Sequence, residues 1–501
     1  MSYLCLSSKI RQFVYLAQEI KEHEGNAAKA GGCNLFNLME RAGQAAFVSW
    51  NSFNAQQTLV LVGSGNNAGD GYITASLIKQ ADRHVVVCAV DENKELKGDA
   101  AKAQRRWIDA GGEICNFSVD MLAECDVIID ALLGTGLKDM VRSHVATIIK
   151  TANESAKPIL SIDVPSGINA DTGHPLGIAI KATKTITFVG IKQGLTTATG
   201  KQYVGKLIFD DLAIGEQFIE LASPSGTIIN INSFKGLGPR AINSHKGSYG
   251  KLLCIGGNQG MAGAIRLTSE AALRAGAGMV RVYTHESSIM PVSFGRPELM
   301  VSSNNLQHAL EWASCAVIGP GLGQNEWAQN TFNKVIEYCT HNNMPLVIDA
   351  DALNLLAKDT LLHLPKYSIL TPHSSEASRL LNVTTAKIES DRFSHVQLCA
   401  KRYSAICVLK GAGTLISNGD SIWICEEGGP VLAVGGSGDV LTGIIGALVA
   451  QGIGCEEAAC YGVTLHAKAG DIACEKAGER GMLPSDLFYI VRRLINNLKP
   501  K

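Results

Sequence analysis

The sequence predicts an α/β protein with two domains, each built on a parallel sheet that helices cover. Two observations support this prediction. Short apolar runs typical of buried strands, such as residues 58–62 and 127–130, alternate with patterns typical of amphipathic helices, such as residues 35–50. The chain is also 501 residues long, which exceeds the roughly 250 to 300 residues that one hydrophobic core usually organises. Two cores, and therefore two domains, are expected.

The individual elements follow in order along the chain. In the first half, strands are predicted at residues 58–62, 85–90, 127–130 and 159–163, with helices at 35–50, 72–80 and 143–151. The alternation lapses across residues 222–239, where Pro224, Gly236 and Pro239 would interrupt any long element. In the second half, strands are predicted at residues 252–255, 279–283, 316–318, 346–349, 368–370 and 406–409. We place the first domain at residues 1–225 and the second at 230–501, with the boundary near 225–235.

The charge balance excludes some classes of partner. The chain has 45 basic and 46 acidic side chains, so no global field would hold nucleic acid or an anionic membrane. Its most apolar long window, residues 431–453, contains Asp439 and several glycines, which makes it a poor membrane span and a good candidate for a buried helix. We expect small-molecule partners, no nucleic acid, no membrane, and a homo-oligomer.

Cysteine usage and the N-terminal region favour the cytoplasm. Fourteen cysteines are scattered along the chain without one Cys-x-x-Cys pair, which predicts reduced and mostly buried thiols rather than a structural zinc site. Near the N-terminus, Gln18, Glu19 and Lys21 interrupt the sequence before a secretory signal core could form. A cytoplasmic protein is therefore expected.

The most informative motif is Gly435-Gly436-Ser437-Gly438-Asp439, which directly precedes the helix-compatible run of residues 440–449. Glycines allow successive backbone N–H groups to turn toward an anion, and a helix N-terminus adds positive potential. Asp439 could then deprotonate an attacking hydroxyl group. The motif predicts phosphoryl transfer, although the same pattern also fits an ordinary turn in which Asp439 caps the helix.

The first half has a glycine-rich loop of a different kind. Residues 63–71 follow the predicted strand 58–62 and lead into the predicted helix from residue 72. A hydride-transferring dinucleotide site needs Gly-x-Gly-x-x-Gly, whereas Asn66, Asn67 and Asp70 fill this loop with side-chain acceptors. Such acceptors suit cations and hydroxyl groups better than phosphates.

Two further strand ends of the first half bear carboxylates. Asp130 ends one predicted strand, and Asp163 ends the next and precedes Ser166. Because the carboxyl ends of parallel strands share one edge of a sheet, Asn67, Asp130 and Ser166 could converge as oxygen ligands for a monovalent or hard cation. Asp163 would remain for acid or base work. Each aspartate alone would also fit a turn or a helix cap.

The second half offers four polar turns after predicted strands. Residues 256–264 and 319–323 are glycine-rich, and each could bring bare backbone to a ligand or could be a plain turn. His373 follows Pro372 in a turn that should lie on the same edge as Asp439, although a lone histidine is also commonly structural. Lys410 begins a turn over residues 410–414 and is a natural phosphate neighbour or a solvated surface group.

Three segments of the first half resemble the NAD(P)H-hydrate epimerase domain: residues 38–43, residues 66–71 and residues 161–167, which read Leu-Met-Glu-Arg-Ala-Gly, Asn-Asn-Ala-Gly-Asp-Gly and Ser-Ile-Asp-Val-Pro-Ser-Gly. The resemblance implies a Rossmann-like, three-layer α/β/α fold in which Asp163 is catalytic and contacts the reacting ring. It also implies a potassium ion held by Asn67, Asp130 and Ser166. The substrate would be lined by Asn66, Asn67, Ala68, Gly69, Asp70, Gly134, Thr135, Gly136, Leu137, Lys138, Asp139 and Met140.

The second half resembles the ADP- or ATP-dependent NAD(P)H-hydrate dehydratase of the ribokinase-like superfamily, through residues 319–323, 348–354, 410–414 and 435–439 together with His373. The resemblance implies that magnesium accompanies the nucleotide phosphates, and that Asp439 is catalytic. The hydrated nicotinamide would contact Ala264, Gly321, His373 and Asp439, and the nucleotide would contact Lys410, Gly411, Ala412, Gly413, Thr414 and Gly438. Ser375 replaces a glycine that is usual in the family, and no magnesium role is assigned to Glu376.

These resemblances predict a repair enzyme for NADH and NADPH that have added water. One half would interconvert the R and S epimers, and the other would dehydrate the S epimer while converting ADP to AMP and phosphate. Two alternatives stay open at this point. The second half could instead be a kinase for a small alcohol or vitamin precursor, with a ligand-binding first half, since the fold would serve either reaction. The chain could also be a non-catalytic nucleotide sensor or scaffold.

Overall fold

A computed structural model describes residues 11–90, 95–359 and 362–498. The chain divides into two compact units, of which the first ends at Thr227 and the second begins at Ile228. Each unit has parallel strands joined by helices, so the predicted α/β class is confirmed.

The described strands of the first unit are β1 (Phe13–Tyr15), β2 (Gln57–Val62), β3 (His84–Ala89), β4 (Ile114–Asn116), β5 (Val127–Ala131), β6 (Ile159–Ile162), β7 (Lys184–Phe188), β8 (Ile191–Lys192), β9 (Lys206–Asp210) and β10 (Gly226–Ile229), which leads into the second unit. Among them, a parallel sheet of seven has the order β4-β3-β2-β5-β6-β7-β9. Strand β1 instead pairs antiparallel with β10 and parallel with β8.

The described helices of the first unit are α1 (Ala17–Ala30), α2 (Leu35–Asn51), α3 (Asn66–Gln80), α4 (Gly98–Asp109), α5 (Asp120–Glu124), α6 (Ser143–Glu154), α7 (Ala198–Val204) and α8 (Gly215–Leu221). Alternate residues of β2 face opposite sides, as the period of a strand requires. Val60 and Val62 belong to a core with α2, α3 and α4, whereas Leu59 and Leu61 belong to a second core with α5 and α6. The sheet therefore lies between two helical layers.

One predicted boundary in this unit is wrong. The glycine-rich segment was expected to remain a loop until residue 72, but α3 begins at Asn66 and includes Gly69 and Gly71. Both glycines lie where the helix touches its neighbours: a Cβ at Gly69 would come within 2.5 Å of the Met39 sulfur, and one at Gly71 within 2.8 Å of the Ala131 Cβ. Glycine is normally unfavourable inside a helix, but at positions 69 and 71 the close neighbours leave no room for a side chain.

The strands of the second unit are β11 (Lys251–Ile255), β12 (Met279–Tyr283), β13 (Met300–Ser302), β14 (Cys315–Ile318), β15 (Leu346–Ile348), β16 (Ser368–Leu370), β17 (Ile406–Leu409), β18 (Leu415–Ser417) and β19 (Ile422–Cys425). They stand in the order β13-β12-β11-β14-β15-β16-β17-β18-β19. Pairing is parallel as far as β17 and antiparallel from β17 to β19.

The helices of the second unit are α9 (Ala262–Arg274), α10 (Ile289–Ser293), α11 (Leu306–Trp312), α12 (Glu326–Asn342), α13 (Ala350–Leu356), α14 (Ser374–Leu381), α15 (Thr385–Ser390), α16 (Arg392–Tyr403), α17 (Ser437–Ala450), α18 (Cys455–Ala477) and α19 (Leu487–Ile495). The core of this unit surrounds α17, whose residues from Val440 to Ala450 are all buried. The predicted buried helix is therefore confirmed. Within the described residues, no helix has the length and apolarity needed to cross a bilayer.

Candidate functional site

The glycine motif of the second unit forms the start of α17. Gly436 precedes the helix with a φ of 93°, a conformation that a residue with a Cβ rarely adopts. The helix begins at Ser437, so Asp439 lies in its first turn and is not the capping residue. Asp439 is partly exposed. Its carboxylate is therefore available to a ligand at a helix N-terminus, where backbone N–H groups and the helix dipole favour anions.

Lys410 lies beside this helix start, in a chain of short contacts. Its ammonium donates to Asp349 Oδ1 at 2.8 Å, and Thr442 Oγ1, one turn into α17, donates to Asp349 Oδ2 at 2.6 Å. A Cβ on Gly438 would stand only 3.4 Å from the Lys410 ammonium. The buried Asp349 thus fixes the lysine next to the bare backbone of Gly438.

Three carboxylates act on this single lysine, and a fourth acts on Asp439. Burial, and then Asp349, raises the pKa of Asp439 to about 7, while Lys410 opposes the rise. Burial likewise raises the pKa of Glu376 to about 7. Burial would also raise the pKa of Asp349, but the contacts with Lys410 and Thr442 outweigh it and hold that pKa below its usual value. Asp351, the fourth, accepts from the Gly323 N–H at 2.8 Å and also raises the pKa of Asp439.

His373 has a structural task in addition to its position near this site. It is the N-cap of α14, and its Nδ1 accepts from the backbone N–H groups of Ser375 and Glu376 at 3.1 and 3.4 Å. Glu376 returns the contact by accepting from the His373 N–H at 2.8 Å. Burial, and then the nearby charge of Lys410, lowers the pKa of His373. The structural interpretation of this histidine was thus partly right, since one ring nitrogen is committed to the helix.

The predicted turn over residues 410–414 follows β17 and is held by a residue that the sequence did not identify. Arg392 is fully buried and donates to the carbonyl oxygens of Leu409 and Lys410 at 3.0 and 3.1 Å. It also donates to Ser374 Oγ at the start of α14 at 3.0 Å. Within the turn, Gly411 donates to Thr414 Oγ1 at 3.3 Å, and Ala412 and Gly413 complete it.

Ala264 and Gly321 lie against each other in the same unit. Gly321 has a φ of 61°, and a Cβ there would stand 2.5 Å from the Met261 carbonyl oxygen and 3.2 Å from the Ala264 Cβ. Asn258 donates its backbone N–H to the Gly321 carbonyl at 2.7 Å. The structure therefore joins the two glycine-rich turns that the sequence predicted separately, with backbone at close approach.

In the first unit, the sequence predicts that Asp163 ends a strand, but β6 ends at Ile162 and Asp163 directly follows it. Its φ is 65°. Asp163 Oδ1 accepts from Thr187 Oγ1 at 3.2 Å and from the Phe188 N–H at 3.4 Å, and it forms an ion pair with Lys192. The side chain of Asp163 is 18% exposed, and that of Lys192 is 3% exposed.

The three predicted cation ligands do converge. Ser166 donates its N–H to Asp130 Oδ2 at 2.9 Å and its hydroxyl group to Asp130 Oδ1 at 2.5 Å. Asn67 donates its amide NH₂ to the Leu133 carbonyl at 3.0 Å, and Leu133 donates its N–H to Ser166 Oγ at 2.8 Å. Burial raises the pKa of Asp130 despite these hydrogen bonds.

The buried oxygen Asn67 Oδ1 has no hydrogen-bond partner among the described residues. A buried acceptor without a partner is costly, and an amide oxygen is a suitable ligand for potassium, as are the carboxylate of Asp130 and the hydroxyl group of Ser166. The donor set therefore fits a monovalent cation.

The remaining predicted residues of the first unit border this cluster. Asn66, Ala68, Gly69 and Asp70 lie with Asn67 in the first turns of α3. Gly134 adjoins Asn67, since a Cβ there would be 3.3 Å from the Asn67 Cβ. The segment then runs to the surface: Thr135 and Leu137 are half-buried, and Gly136, Lys138, Asp139 and Met140 are exposed.

Sequence reasoning missed four residues that the geometry makes prominent, namely Asp349, Thr442, Arg392 and Lys192. Asp349 follows its strand as Asp163 does, so the same strand-end argument could have identified it. Thr442 comes from a helix interior, Arg392 from the first position of a helix and Lys192 from a two-residue strand, and no local pattern marks any of them.

Comparison with known proteins gives the family context. A family model described as NAD(P)H-hydrate dehydratase matches residues 252–493, and one described as YjeF-related protein N-terminus matches residues 35–194. The bifunctional NAD(P)H-hydrate repair enzyme Nnr of Escherichia coli strain K12 is 43% identical, with 96% of this chain and 94% of that protein aligned. The enzyme of the same name from Vibrio cholerae is 41% identical, with 96% and 98% aligned.

Solved structures resemble about half of the chain. A hypothetical protein from Streptococcus mutans is 34% identical with a TM-score of 0.50, and the match covers 54% of this chain and 99% of that one. A ribokinase-like superfamily protein from Enterococcus faecalis is 28% identical with a TM-score of 0.51, covering 55% and 96%.

Proposed function

The chain belongs to the family of bifunctional NAD(P)H-hydrate repair enzymes, and from this premise we propose that its two units divide the repair between them. The first unit interconverts the R and S epimers of hydrated NADH and NADPH. The second unit dehydrates the S epimer and converts ADP to AMP and phosphate. The match of the dehydratase family to residues 252–493 supports the assignment of the second reaction to the second unit.

One observation supports the dehydratase mechanism above all: a partly exposed carboxylate with a pKa of about 7 lies in the first turn of a helix, near a half-buried lysine. Asp439 takes the proton of the C6 hydroxyl group, and the hydroxyl oxygen attacks the terminal phosphoryl group of ADP. AMP leaves with the electron pair of the broken P–O bond. The C6–O bond then breaks and phosphate departs with its electron pair. The departing phosphate accepts the C5 proton, and the electron pair of the C5–H bond forms the C5=C6 double bond.

The neighbouring residues have complementary tasks in this proposal. Lys410 offers its charge to the phosphates, and the turn of residues 410–414 together with Gly438 lets the nucleotide approach bare backbone. Burial opposes the charge of Lys410, but Asp349 and Glu376 raise its pKa, so the ammonium remains charged. Ala264, Gly321 and His373 contact the hydrated nicotinamide.

Magnesium would accompany the phosphates and neutralise the charge that develops on them during transfer. The site fits such a hard cation because three carboxylates, Asp349, Asp351 and Asp439, outnumber the one lysine beside them. Only oxygen ligands are present in this set, which is the chemistry that magnesium prefers. Asp439 itself is assigned to the proton.

In the first unit, Asp163 contacts the reacting ring, and the segments around Asn66–Asp70 and Gly134–Met140 line the substrate. A potassium ion held by Asn67, Asp130 and Ser166 would tie the start of α3 and the end of β5 to the segment after β6 that bears Ser166. The orphaned Asn67 Oδ1 supports this assignment. The ion would supply positive charge next to the buried carboxylate of Asp130.

The experiment that tests the proposal is a turnover assay on mixed epimers of hydrated NADH with ADP and magnesium. Full recovery of NADH absorbance is expected, and Asp439→Asn should abolish it while largely keeping nucleotide binding. In Asp163→Asn, NADH should be recovered from the S epimer at the usual rate, whereas recovery from the R epimer should be slower. A stable phosphorylated alcohol without NADH recovery would instead indicate the kinase, which the relatives along nearly the whole chain do not favour. Full activity of Asp439→Asn would support the sensor alternative.

We also propose that the protein is a cytoplasmic homo-oligomer. The described cysteines are free thiols, which suits a reducing compartment. Met290 and Phe294 expose 71% and 75% of their surface on one short segment, which suits contact with a second copy. Light scattering on the purified chain would measure the mass, and a monomer would contradict the oligomer.

A further inference from the structure

The most unusual side chain outside the described mechanism is Lys192. It lies on the two-residue strand β8, which pairs with β1 so that Lys192 is opposite Tyr15. Only 3% of its side chain is exposed. A buried ammonium is costly unless acceptors satisfy it, and here it meets the Phe188 carbonyl oxygen at 2.9 Å, Thr187 Oγ1 at 3.2 Å and the carboxylate of Asp163.

All contacts of Asp163 are made by one of its two oxygens. Lys192, Thr187 and the Phe188 N–H converge on Oδ1. Among the described residues, none donates a hydrogen bond to Oδ2. The left-handed backbone of Asp163, with a φ of 65°, turns this residue out of the strand direction. One oxygen is therefore anchored and the other is left for a ligand.

We infer that Lys192 is a positioning residue of the epimerase: it anchors Oδ1 of Asp163 so that Oδ2 faces the C6 carbon of the hydrated ring. The inference depends on the proposed contact of Asp163 with that ring. Thr187 assists by holding both partners, since it contacts the lysine and the carboxylate alike.

The chemistry of epimerisation explains why an anchored carboxylate would help. The C6–O bond breaks, its electron pair stays on oxygen, and that oxygen takes a proton and leaves as water. The ring nitrogen forms a second bond to C6, which makes the ring cationic and planar at C6. A fixed anionic oxygen stabilises this cation without reorganising. Water then adds to either face and returns the proton, so the configuration is exchanged with no net consumption.

Two further carboxyl groups interact with this pair. Burial, then Asp163 and Glu24, raises the pKa of Asp70 well above its usual value. Burial raises the pKa of Glu24, with Lys192 opposing and Asp163 adding to the rise. Asp70 therefore keeps its proton to a higher pH than an ordinary aspartate does, and in that form it can supply the proton of the departing water. Lys192 is the principal positive charge that acts on the three carboxyl groups of Asp163, Asp70 and Glu24.

The test uses the full-length enzyme and measures conversion of the purified R epimer to the S epimer without ADP, by chromatography. Lys192→Met should lower the epimerisation kcat by about 100-fold with little change in KM, because the loss of a positioning contact disturbs the geometry of the reacting groups. The dehydratase rate on the S epimer should be unchanged, because that reaction belongs to the second unit, and an unchanged circular dichroism spectrum and thermal unfolding curve show that the first unit is folded. Lys181→Met, an exposed lysine of the same unit, is the matched control and should be fully active.

A double variant separates positioning from a general structural role. If Lys192 acts through Asp163, then Lys192→Met combined with Asp163→Asn should be no slower than Asp163→Asn alone. The pH–rate profile of Lys192→Met should also move to higher pH, because Asp70 and Glu24 lose the positive charge that opposes the rise in their pKa.

Each other outcome overturns the inference. A wild-type rate in Lys192→Met removes the positioning role, and so does an effect that adds fully to that of Asp163→Asn. A wild-type rate in Asp163→Asn shows instead that the proposed epimerase site is wrong. If Lys192→Met does not fold, the isosteric Thr187→Val tests the same anchor, and an unchanged rate in that variant overturns it.

Discussion

The pKa of Asp439 leads to a quantitative prediction for the dehydratase. If this carboxylate is the base, only its ionised form is active, so lowering the pH from 8 to 6 should reduce kcat/KM. With a pKa of about 7, about nine-tenths of the enzyme is ionised at pH 8 and about one-tenth at pH 6. The expected loss is therefore about tenfold, with a midpoint near pH 7 rather than near the value of about 4 for an ordinary aspartate.

The assay is the initial rate of NADH absorbance from the purified S epimer at low substrate concentration, with ADP and magnesium saturating. Glu376 needs a control because burial raises its pKa to about 7 as well. Glu376→Gln should keep the acid limb and shift it slightly to lower pH, since Glu376 adds a little to the rise for Asp439. A flat profile between pH 6 and 8, or loss of the limb in Glu376→Gln, would refute Asp439 as the titrating base.

Three other perturbations have defined outcomes. Arg392→Met should raise the KM for ADP and cost about 1 to 3 kcal/mol of unfolding free energy, because it leaves the carbonyl oxygens of Leu409 and Lys410 without their donor. Thermal unfolding and ADP titration measure the two effects. Replacing potassium by choline should slow epimerisation in the wild type but not in Asn67→Ala, because the ligand oxygen is gone. Gly443→Ala should cost about 1 to 3 kcal/mol in urea unfolding, since its Cβ would stand 2.1 Å from the Thr268 carbonyl.

Each of these has a control or a contradicting result. An unchanged KM for ADP in a destabilised Arg392→Met protein would separate the arginine from nucleotide binding. An Asn67→Ala enzyme that still responds to potassium would place the ion elsewhere. For Gly443, the matched control is Gly263→Ala, another glycine inside a helix, where the added Cβ would meet no neighbouring element within 4 Å and stability should not fall.

The sequence predicted the α/β class and the convergence at strand ends because both follow from local rules. Parallel strands that end in polar residues must present them at one edge, and Asn67, Asp130 and Ser166 do meet there. The length of the apolar runs likewise located β12, β16 and β17 at their observed bounds.

Other features depend on contacts between distant residues and left no local trace. The early start of α3 depends on the fit of Gly69 against Met39, thirty residues earlier. The short strands β1 and β8 pair with each other, and at three and two residues they are too short for a local pattern to mark them, although Phe13–Tyr15 and Ile191 favour strands. Lys192 and Arg392 are single cations whose partners come from other elements, so their burial could not be predicted from spacing.

The helix cap formed by His373 has one more consequence, which concerns the direction of its hydrogen bonds. Because two backbone N–H groups point at Nδ1, that nitrogen must be the unprotonated one, and Nε2 bears the hydrogen in the neutral ring. The lowered pKa keeps the ring neutral near pH 7. In this structure Nε2 lies 3.4 Å from Glu376 Oε1. The imidazole is therefore a donor of fixed polarity: a bound carbonyl oxygen, such as that of a carboxamide, would take this hydrogen in place of Glu376, and the ring has no free lone pair with which to remove a proton.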